Sequence, residues 1–415
     1  MTQLNIFIVS RFFYPDYAAS SQMLTDIAHD FVRHDWNVTV LASRKLSTDP
    51  TRRLPRQEHL DGITIRRVWT TRFGRHRLPG RMIDYLSFYF SVFLALRRVV
   101  SKGAVVIADS DPPLLSVVVD RACRRPNAIV LHHVADLYPD LAGALGVLAP
   151  GGVLARFMTR WRNAAFRRGQ ATVVPGSEMK KRIVQSGVDP AIIHVIPYWA
   201  DGQVIRPLER EANPLRSEWD VGDRFVVGYS GNMGRAHEFE TLLGAAGALR
   251  DRDDIVFLLV GGGARLPALV HQVAERGLEN IRFKPYQTRE SLWATLTLPD
   301  VHLISLRPAL EGMVMPSKYY GIAAAGRPTI FIGDPEGEIA GLIRKADSGV
   351  VIPIGEGNTL ASILVDLARD HERRRGLGAN ARKDFEARFD KPVSLAIWRD
   401  LLTRLVNDCT PQRPA

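Results

Sequence analysis

The stretch 311–328 reads E-G-M-V-M-P-S-K-Y-Y-G-I-A-A-A-G-R-P and brings a carboxylate, a hydroxyl and an ammonium together around a turn. Pro316, Ser317 and Lys318 follow a glycine-containing turn and precede the small-residue run 321–326. Backbone N–H groups of a helix start, a serine hydroxyl and a lysine aimed at one point would hold an anion, and phosphate is the chemistry that fits. The apolar run 301–306 has the length of a buried strand, and 329–332 supplies the next one. The small residues between them let a helix lie close against its sheet. An ordinary strand, turn and helix with a solvated Glu and Lys accounts for the same residues equally well.

Three other segments carry side chains suited to chemistry. A strand at 225–230 ends in Gly231-Asn232-Met233-Gly234-Arg235, where glycines permit close approach to a ligand and Arg235 can make charge-assisted bonds to a diphosphate. A strand at 255–260 ends in the run that includes Gly262 and Gly263, and Pro285 and Tyr286 follow further on. In the first half, a strand at 128–131 leads to His132, His133, Asp136 and Asp140, and a strand's carboxyl end is where an α/β sheet collects its chemistry. Two His and two Asp invite a metal reading, but adjacent residues of a strand point to opposite faces, which disfavours it. For Asp136, capping a turn is as good an account as catalysis.

Taken together, these segments resemble the retaining, two-domain glycosyltransferases of the GT-B architecture, in the large family four. The branch concerned makes cell-surface polysaccharide and O-antigen, with its P-S-K-x5-A-A-G-x-P form. The resemblance implies that Glu311 lies near the donor sugar and the transferred carbon, with Gly312, Met313, Pro316, Ser317 and Lys318 around the donor. It implies that Gly231, Asn232, Gly234, Arg235, Gly262 and Gly263 approach the diphosphate, and that Pro285 and Tyr286 meet the base. Asp136-Leu-Tyr-Pro-Asp140 matches the family's D-x-x-P-E/D loop, which makes Asp136, then His133, the candidates facing acceptor and donor sugar. Tyr14-Pro15 continues the likeness in the first loop, where Ala18-Ala19 replace the usual glycine pair. A second family glutamate, which binds ribose, has no counterpart: seven residues after Glu311 comes Tyr319, and alignment on Pro316 and Gly326 puts Gly321 there. Glu336 and Glu338 are the nearby substitutes. The lysine many relatives carry after the first glycine loop is also missing at 236–238, so Lys318 becomes the second phosphate cation.

The elements that must position these residues are those of two α/β domains. A chain of 415 residues exceeds what one hydrophobic core serves. A strand at 6–9, a loop, a helix at about 21–34 and a strand at 37–41 form a βαβ unit, hence a parallel sheet. Ser177 is suited to cap a helix after the strand 171–174, and 348–354 reads as a last strand pair. The expected division is 1–200 for an acceptor-binding Rossmann-like domain and 201–390 for a nucleotide-sugar-binding one, facing across a cleft. The remainder, 391–415, is a helix crossing back to the first domain, and a loose tail.

Charge separates the halves. Residues 1–200 hold 27 Lys and Arg against 15 Asp and Glu, net +12, leaving 28 against 29, net −1, for the rest. Such asymmetry favours a phosphate-bearing partner for the N-terminal half. An apolar run at 85–96 lies between Arg66, Arg67, Arg72, Arg75, His76, Arg77 and Arg81 on one side and Arg97, Arg98 and Lys102 on the other. A run of twelve residues is too short to cross a bilayer, so it is either a core helix or one lying at lipid headgroups. No recognised nucleic-acid motif accompanies the basic residues. Two cysteines without metal or disulfide spacing, and an N-terminus without a secretory pattern, point to a cytoplasmic protein at the inner membrane face.

The expectation is a retaining transferase that moves a sugar from a nucleotide diphosphate sugar, UDP foremost, to a polyprenyl-diphosphate-linked saccharide, with no metal or other cofactor required. Two rivals stand beside it. A nucleotide-sugar epimerase of the same architecture would turn over donor without lipid, and a noncatalytic membrane- or partner-binding module would fail to bind nucleotide.

Overall fold

The inner strands of this chain are apolar and buried on both faces, which is what a parallel sheet covered by helices on both sides requires. The computed structural model describes residues 4–16, 18–46, 49, 52–73 and 78–409. Arg75, His76 and Arg77 of the basic stretch, and the tail 410–415, lie outside the described residues. The chain separates into two compact units. One gathers the described residues of Met1–Pro197, Gly312–Val314 and Leu395–Ala415, the other Tyr198–Glu311 and Met315–Ser394.

The first unit is built on eight strands: β1 (Asn5–Val9), β2 (Asn37–Ser43), β3 (Gln57–Leu60), β4 (Ile63–Val68), β5 (Val105–Ala108), β6 (Ile129–His133), β7 (Ala171–Val174) and β8 (Ile193–Val195). Their order is β3-β4-β2-β1-β5-β6-β7-β8, parallel throughout except for the antiparallel β3–β4 edge. The order reverses at β1, which pairs with β2 on one side and β5 on the other, so the crevice at the carboxyl ends of β1 and β5 is the natural ligand position. Phe7 and Val9 of β1 join Phe88, Val92 and Leu96 in one core. Ile6 and Ile8, on the opposite face, are also fully buried.

The run 85–96 lies within the 22-residue helix Leu78–Val99, and both sequence readings meet there. Phe88, Val92 and Leu96 are core, while Met82, Ile83, Leu86 and Phe90 are exposed. The spacing of the exposed set, two neighbours and then steps of about one turn, makes a stripe. Helix Leu115–Cys123 packs beside this helix and against helix Val153–Arg168, on which Val153, Leu154, Phe157 and Trp161 form a second exposed stripe of the same spacing. Among the described residues no helix is long and apolar enough to cross a membrane.

The second unit has six parallel strands: β9 (Phe225–Asn232), β10 (Ile255–Gly262), β11 (Ile281–Lys284), β12 (Val301–Ser305), β13 (Thr329–Ile332) and β14 (Gly349–Ile352), in the order β11-β10-β9-β12-β13-β14. Phe225, Val227 and Tyr229 of β9 face one core, and Val226 faces another that contains Trp219 and Leu298. The order reverses between β9 and β12, where Val227 pairs with Val301. Two local expectations need correction. Ser177 is the first residue of helix Ser177–Gln185 and Gly176 holds the cap position. The segment 348–354 supplies one edge strand, β14, because Pro353 lacks the N–H a continuing strand would use.

Candidate active site

In the second unit the phosphate-binding expectation converges on Lys318. Strand β9 runs to Asn232, and helix Lys318–Ala324 begins beside it, with Ser317 at its cap position. Lys318 Nζ donates to the Asn232 carbonyl at 3.2 Å and to the Tyr229 hydroxyl, and lies 3.7 Å from the centre of the Tyr229 ring. The Tyr229 hydroxyl in turn donates to the same Asn232 carbonyl at 3.0 Å. No carboxylate pairs with this ammonium among the described residues, and burial holds its pKa well below the usual lysine range. Gly231, at φ +121°, allows the approach: a Cβ there would stand 3.0 Å from Lys318 Cε. A cation desolvated without a counter-charge is a site prepared for an anion.

Other predicted donor residues surround the same strand ends. Arg235 follows Gly234 on the loop after β9, exposed and without a hydrogen-bond or ion-pair partner among the described residues. Gly262 ends β10 beneath Tyr286, whose hydroxyl donates to the Gly262 carbonyl at 3.2 Å, and Gly263 follows beside Asn232. Pro285 accepts from the Gln287 side chain, and Pro316 accepts from Tyr319 N at 3.3 Å in the first turn of the helix. His237 is fixed by a 2.6 Å bond between Nδ1 and the Ser305 carbonyl at the end of β12. Burial, with Lys318 nearby, pushes it down to about 3, so it is neutral at physiological pH. Gly312 and Met313 fall in the short stretch that groups with the first unit.

Glu311 makes a different kind of contact. Its Oε1 accepts from Glu338 N at 2.9 Å, at the start of helix Glu338–Ala346. The cap residue there is Gly337, where a Cβ would stand 2.5 Å from Glu311 Oε2. The carboxylate thus caps a helix from a distance, using the amide that the helix leaves unsatisfied. Neither position for the missing ribose glutamate suits a carboxylate. Tyr319 is buried with its hydroxyl 3.4 Å from Ser348 Oγ, and a Cβ at Gly321 would stand 3.0 Å from Leu296. Of the nearby substitutes, Glu336 is exposed and paired with Arg344 at 3.5 Å, and Glu338 supplies the amide that Glu311 accepts.

In the first unit the candidates meet at the carboxyl ends of β5 and β6. His133 Nδ1 lies 3.2 Å from Asp109 Oδ1, and Ser10 Oγ donates to Asp109 Oδ2 at 2.9 Å. Trp398 packs edge-on against the His133 ring at 5.6 Å. An imidazole that donates through Nδ1 to a buried carboxylate keeps Nε2 as an acceptor. His132 is directed elsewhere, to the Ala165 carbonyl at 3.1 Å and the Phe166 ring, and burial pushes it down to about 4. The two histidines therefore have separate partners, as alternation along a strand requires. No group of three or more metal-ligating side chains occurs among the described residues.

Asp136 sits on the loop after β6, held by bonds that the Ala135 and Asp136 amides donate to Ser110 Oγ. Burial, reinforced by the carboxylates of Asp111 and Asp109, pushes its carboxyl up to about 7. Asp109, His133 and Asp136 line one cavity together with Leu115, Arg162 and Phe166. A carboxyl that titrates near neutrality beside an oriented imidazole is equipped to exchange a proton with a hydroxyl. Tyr229, Asp109 and Gly337 are the contributors that sequence reasoning missed. Asp109 carried a signal, as the residue that closes β5 three positions before the Pro112-Pro113 pair.

Comparison with known proteins assigns the domains that carry these residues. The family model described as "Glycosyl transferase 4-like domain" matches residues 19–199, and that described as "Glycosyl transferases group 1" matches residues 213–384. WcaI of Escherichia coli (strain K12), whose name places it provisionally in colanic acid biosynthesis, is 26% identical over 214 residues, 51% of this chain. That match spans only about half, 52%, of the relative's own length. WbjE of Pseudomonas aeruginosa, named as a probable glycosyltransferase, is 26% identical over 300 residues, 71% of this chain and 74% of its own. HepE of Anabaena, solved with UDP, has the same fold at a TM-score of 0.72 and 15% identity, with 97% of this chain and 100% of that one covered. By its two adjacent domains, a glycosyl transferase 4-like domain followed by a glycosyl transferases group 1 domain, the chain belongs to the glycosyltransferases of the GT-B fold.

Proposed function

We propose that this chain is a retaining glycosyltransferase that moves a sugar from a UDP-sugar to a lipid-linked, polyprenyl-diphosphate saccharide in the assembly of cell-surface polysaccharide or O-antigen, at the inner face of the membrane. The observation that carries the reading is the unpaired Lys318 ammonium over Tyr229, at the carboxyl end of the second sheet and beside its switch point. A donor diphosphate supplies the counter-charge this lysine lacks, and Arg235 supplies a second cation. In the reaction the bond from the anomeric carbon to the diphosphate oxygen breaks while the acceptor oxygen bonds on the same face. The acceptor proton passes to the departing diphosphate or to Asp136. Lys318 and Arg235 stabilise the charge that develops on the leaving group, so this scheme calls for no metal. Glu311 positions the donor sugar, and His133 positions the acceptor hydroxyl.

Membrane attachment is supported by the two exposed apolar stripes of the first unit and by the +12 charge of residues 1–200. The test is a thermal-shift screen with UDP, GDP and ADP, with and without magnesium. UDP at about 100 times its Kd stabilises by about 2.7 kcal/mol if it binds only the folded chain. Stabilisation by UDP alone, unchanged by chelator and abolished in Lys318→Ala, is the expected result. No stabilisation by any nucleotide would sink the reading.

A further inference from the structure

Away from the residues assigned so far, the first unit has a second pocket, lined by Arg44, Lys45, Arg53, Arg56, Trp69 and Arg72, with Thr70, and enclosing about 540 Å³ of space including its open mouth. Its walls leave from adjacent strand ends, because Ser43 of β2 pairs with Val68 of β4 and the two chains diverge into Arg44-Lys45 and Trp69-Thr70. Among the described residues five cations and no carboxylate line it. Arg44 and Lys45 are anchored, Arg44 Nε on the Leu54 carbonyl at 3.0 Å and Lys45 Nζ on Asp84 at 2.9 Å. Arg53, Arg56 and Arg72 are exposed, and their guanidinium groups have no acceptor among the described residues. Cations that converge on a shared space without counter-charges repel one another unless an anion joins them.

Asp84 connects this pocket to apolar surface. Besides Lys45 it accepts from Thr71 Oγ1 at 2.8 Å and Phe73 N at 3.0 Å, so it fixes the 69–73 loop onto helix Leu78–Val99. Burial alone would raise its carboxyl, but the bonds from Lys45, Thr71 and Phe73 outweigh that and hold it below the usual carboxylate range. On the same helix the exposed stripe of Met82, Leu86 and Phe90 lies on the face turned away from the buried Asp84. Phe73 and Trp69 are exposed as well, at 62% and 63%. The pocket's cations therefore stand beside exposed aromatic surface, with Trp69 in the lining and Phe73 on the same loop.

The geometry points to this pocket as the seat of the diphosphate of a lipid-linked acceptor, with its isoprenoid chain against the exposed Trp69 and Phe73. The inference rests on the lipid-linked acceptor of the proposed function. The strand geometry fits it. The pocket opens at the carboxyl ends of β2 and β4, and Asp109 and His133 stand at those of β5 and β6, two to four strands across one parallel sheet. At about 4.8 Å per strand that is roughly 10–20 Å, the reach of one or a few sugar units between a diphosphate and a reacting hydroxyl. Guanidinium groups suit the site, since they bind phosphate oxygens in pairs.

The test is calorimetric titration of the full chain, in detergent, with farnesyl diphosphate, inorganic pyrophosphate and, separately, phosphatidylglycerol vesicles, with UDP as a control ligand. It compares the wild type with a triple Arg53→Ala, Arg56→Ala, Arg72→Ala variant and its triple Arg→Lys counterpart. All three residues are exposed, so the fold is expected to survive, and UDP binding and Tm report on it. Farnesyl diphosphate affinity falls at least tenfold in the alanine variant, is largely retained in the lysine variant, and exceeds that of inorganic pyrophosphate. Equal farnesyl diphosphate affinity in wild type and alanine variant overturns the inference. So does loss of vesicle binding alone, which would make the pocket a phospholipid headgroup site. Failure of UDP to bind, with the farnesyl diphosphate result intact, would remove the donor reading and leave the pocket standing.

Discussion

Asp136 is the residue whose chemistry the surroundings change most usefully. A carboxyl near 7 is protonated in half the molecules at neutral pH, whereas the unfolded chain releases its proton near the ordinary aspartate value of 3.8. Because the folded value is the higher one, the group costs no stability at low pH. Stability is lost as pH rises from about 4 to about 7, where the folded state still holds a proton the unfolded state has released. Asp136→Asn mimics the protonated form. It is expected to raise Tm at pH 8 and to leave it nearly unchanged at pH 4, as read by thermal denaturation at both values. If the ionised carboxylate accepts the acceptor's proton, the wild-type rate climbs with pH through about 7, and the Asn variant loses about 10²-fold in rate along with that pH dependence. A Tm gain without a loss of rate would mark Asp136 as a turn residue, the bland reading its sequence also allowed.

At the scale of elements, Glu311 shows what the sequence conveyed and what it withheld. Its place at the head of the P-S-K segment was legible, as were the strands at 225–230, 255–260 and 329–332, because continuous apolar runs bounded by glycine can hardly be anything but buried parallel strands. Its partner was not legible. The amide of Glu338 lies 27 residues away and is reached only because Gly337 leaves room for the carboxylate. The pairing of Lys318 with Tyr229, 89 residues apart, was hidden for the same reason: a Tyr in a core strand advertises packing, and its hydroxyl acquires meaning only in the sheet. Glu311→Gln keeps an oxygen to accept from Glu338, so its Tm should stay within a degree or two of wild type while sugar transfer falls by 10²-fold or more. Glu311→Ala removes the cap of helix Glu338–Ala346 as well, at about 1 kcal/mol. Thermal unfolding of the two variants beside their transfer rates separates the roles, and equal activity in Gln variant and wild type would leave Glu311 with the cap alone.

For the molecule as a whole, the uneven charge and the two apolar stripes make a joint prediction about the membrane. Residues 1–200 carry net +12 and the remainder −1, so attraction to an anionic bilayer belongs to the first unit, while nucleotide binding belongs to a unit near neutrality. Each basic side chain near such a surface contributes about 1 kcal/mol, and the Debye length shrinks from about 10 Å at 0.1 M salt to about 3 Å at 1 M. Vesicles containing phosphatidylglycerol should therefore bind the chain strongly at low salt and release most of it near 1 M, whereas the contacts at Lys318, being partly enclosed, give UDP a weaker salt dependence. The apolar part has a different signature. Leu86→Asp with Phe157→Asp places one carboxylate on each exposed stripe without touching a core residue, and should weaken vesicle binding about tenfold at every salt concentration, with UDP affinity unchanged. Sedimentation with vesicles across a salt series reads both effects at once. Binding that depends on salt but ignores the two aspartates would mean that the stripes face something other than lipid, and the first unit would then hold the membrane by charge alone.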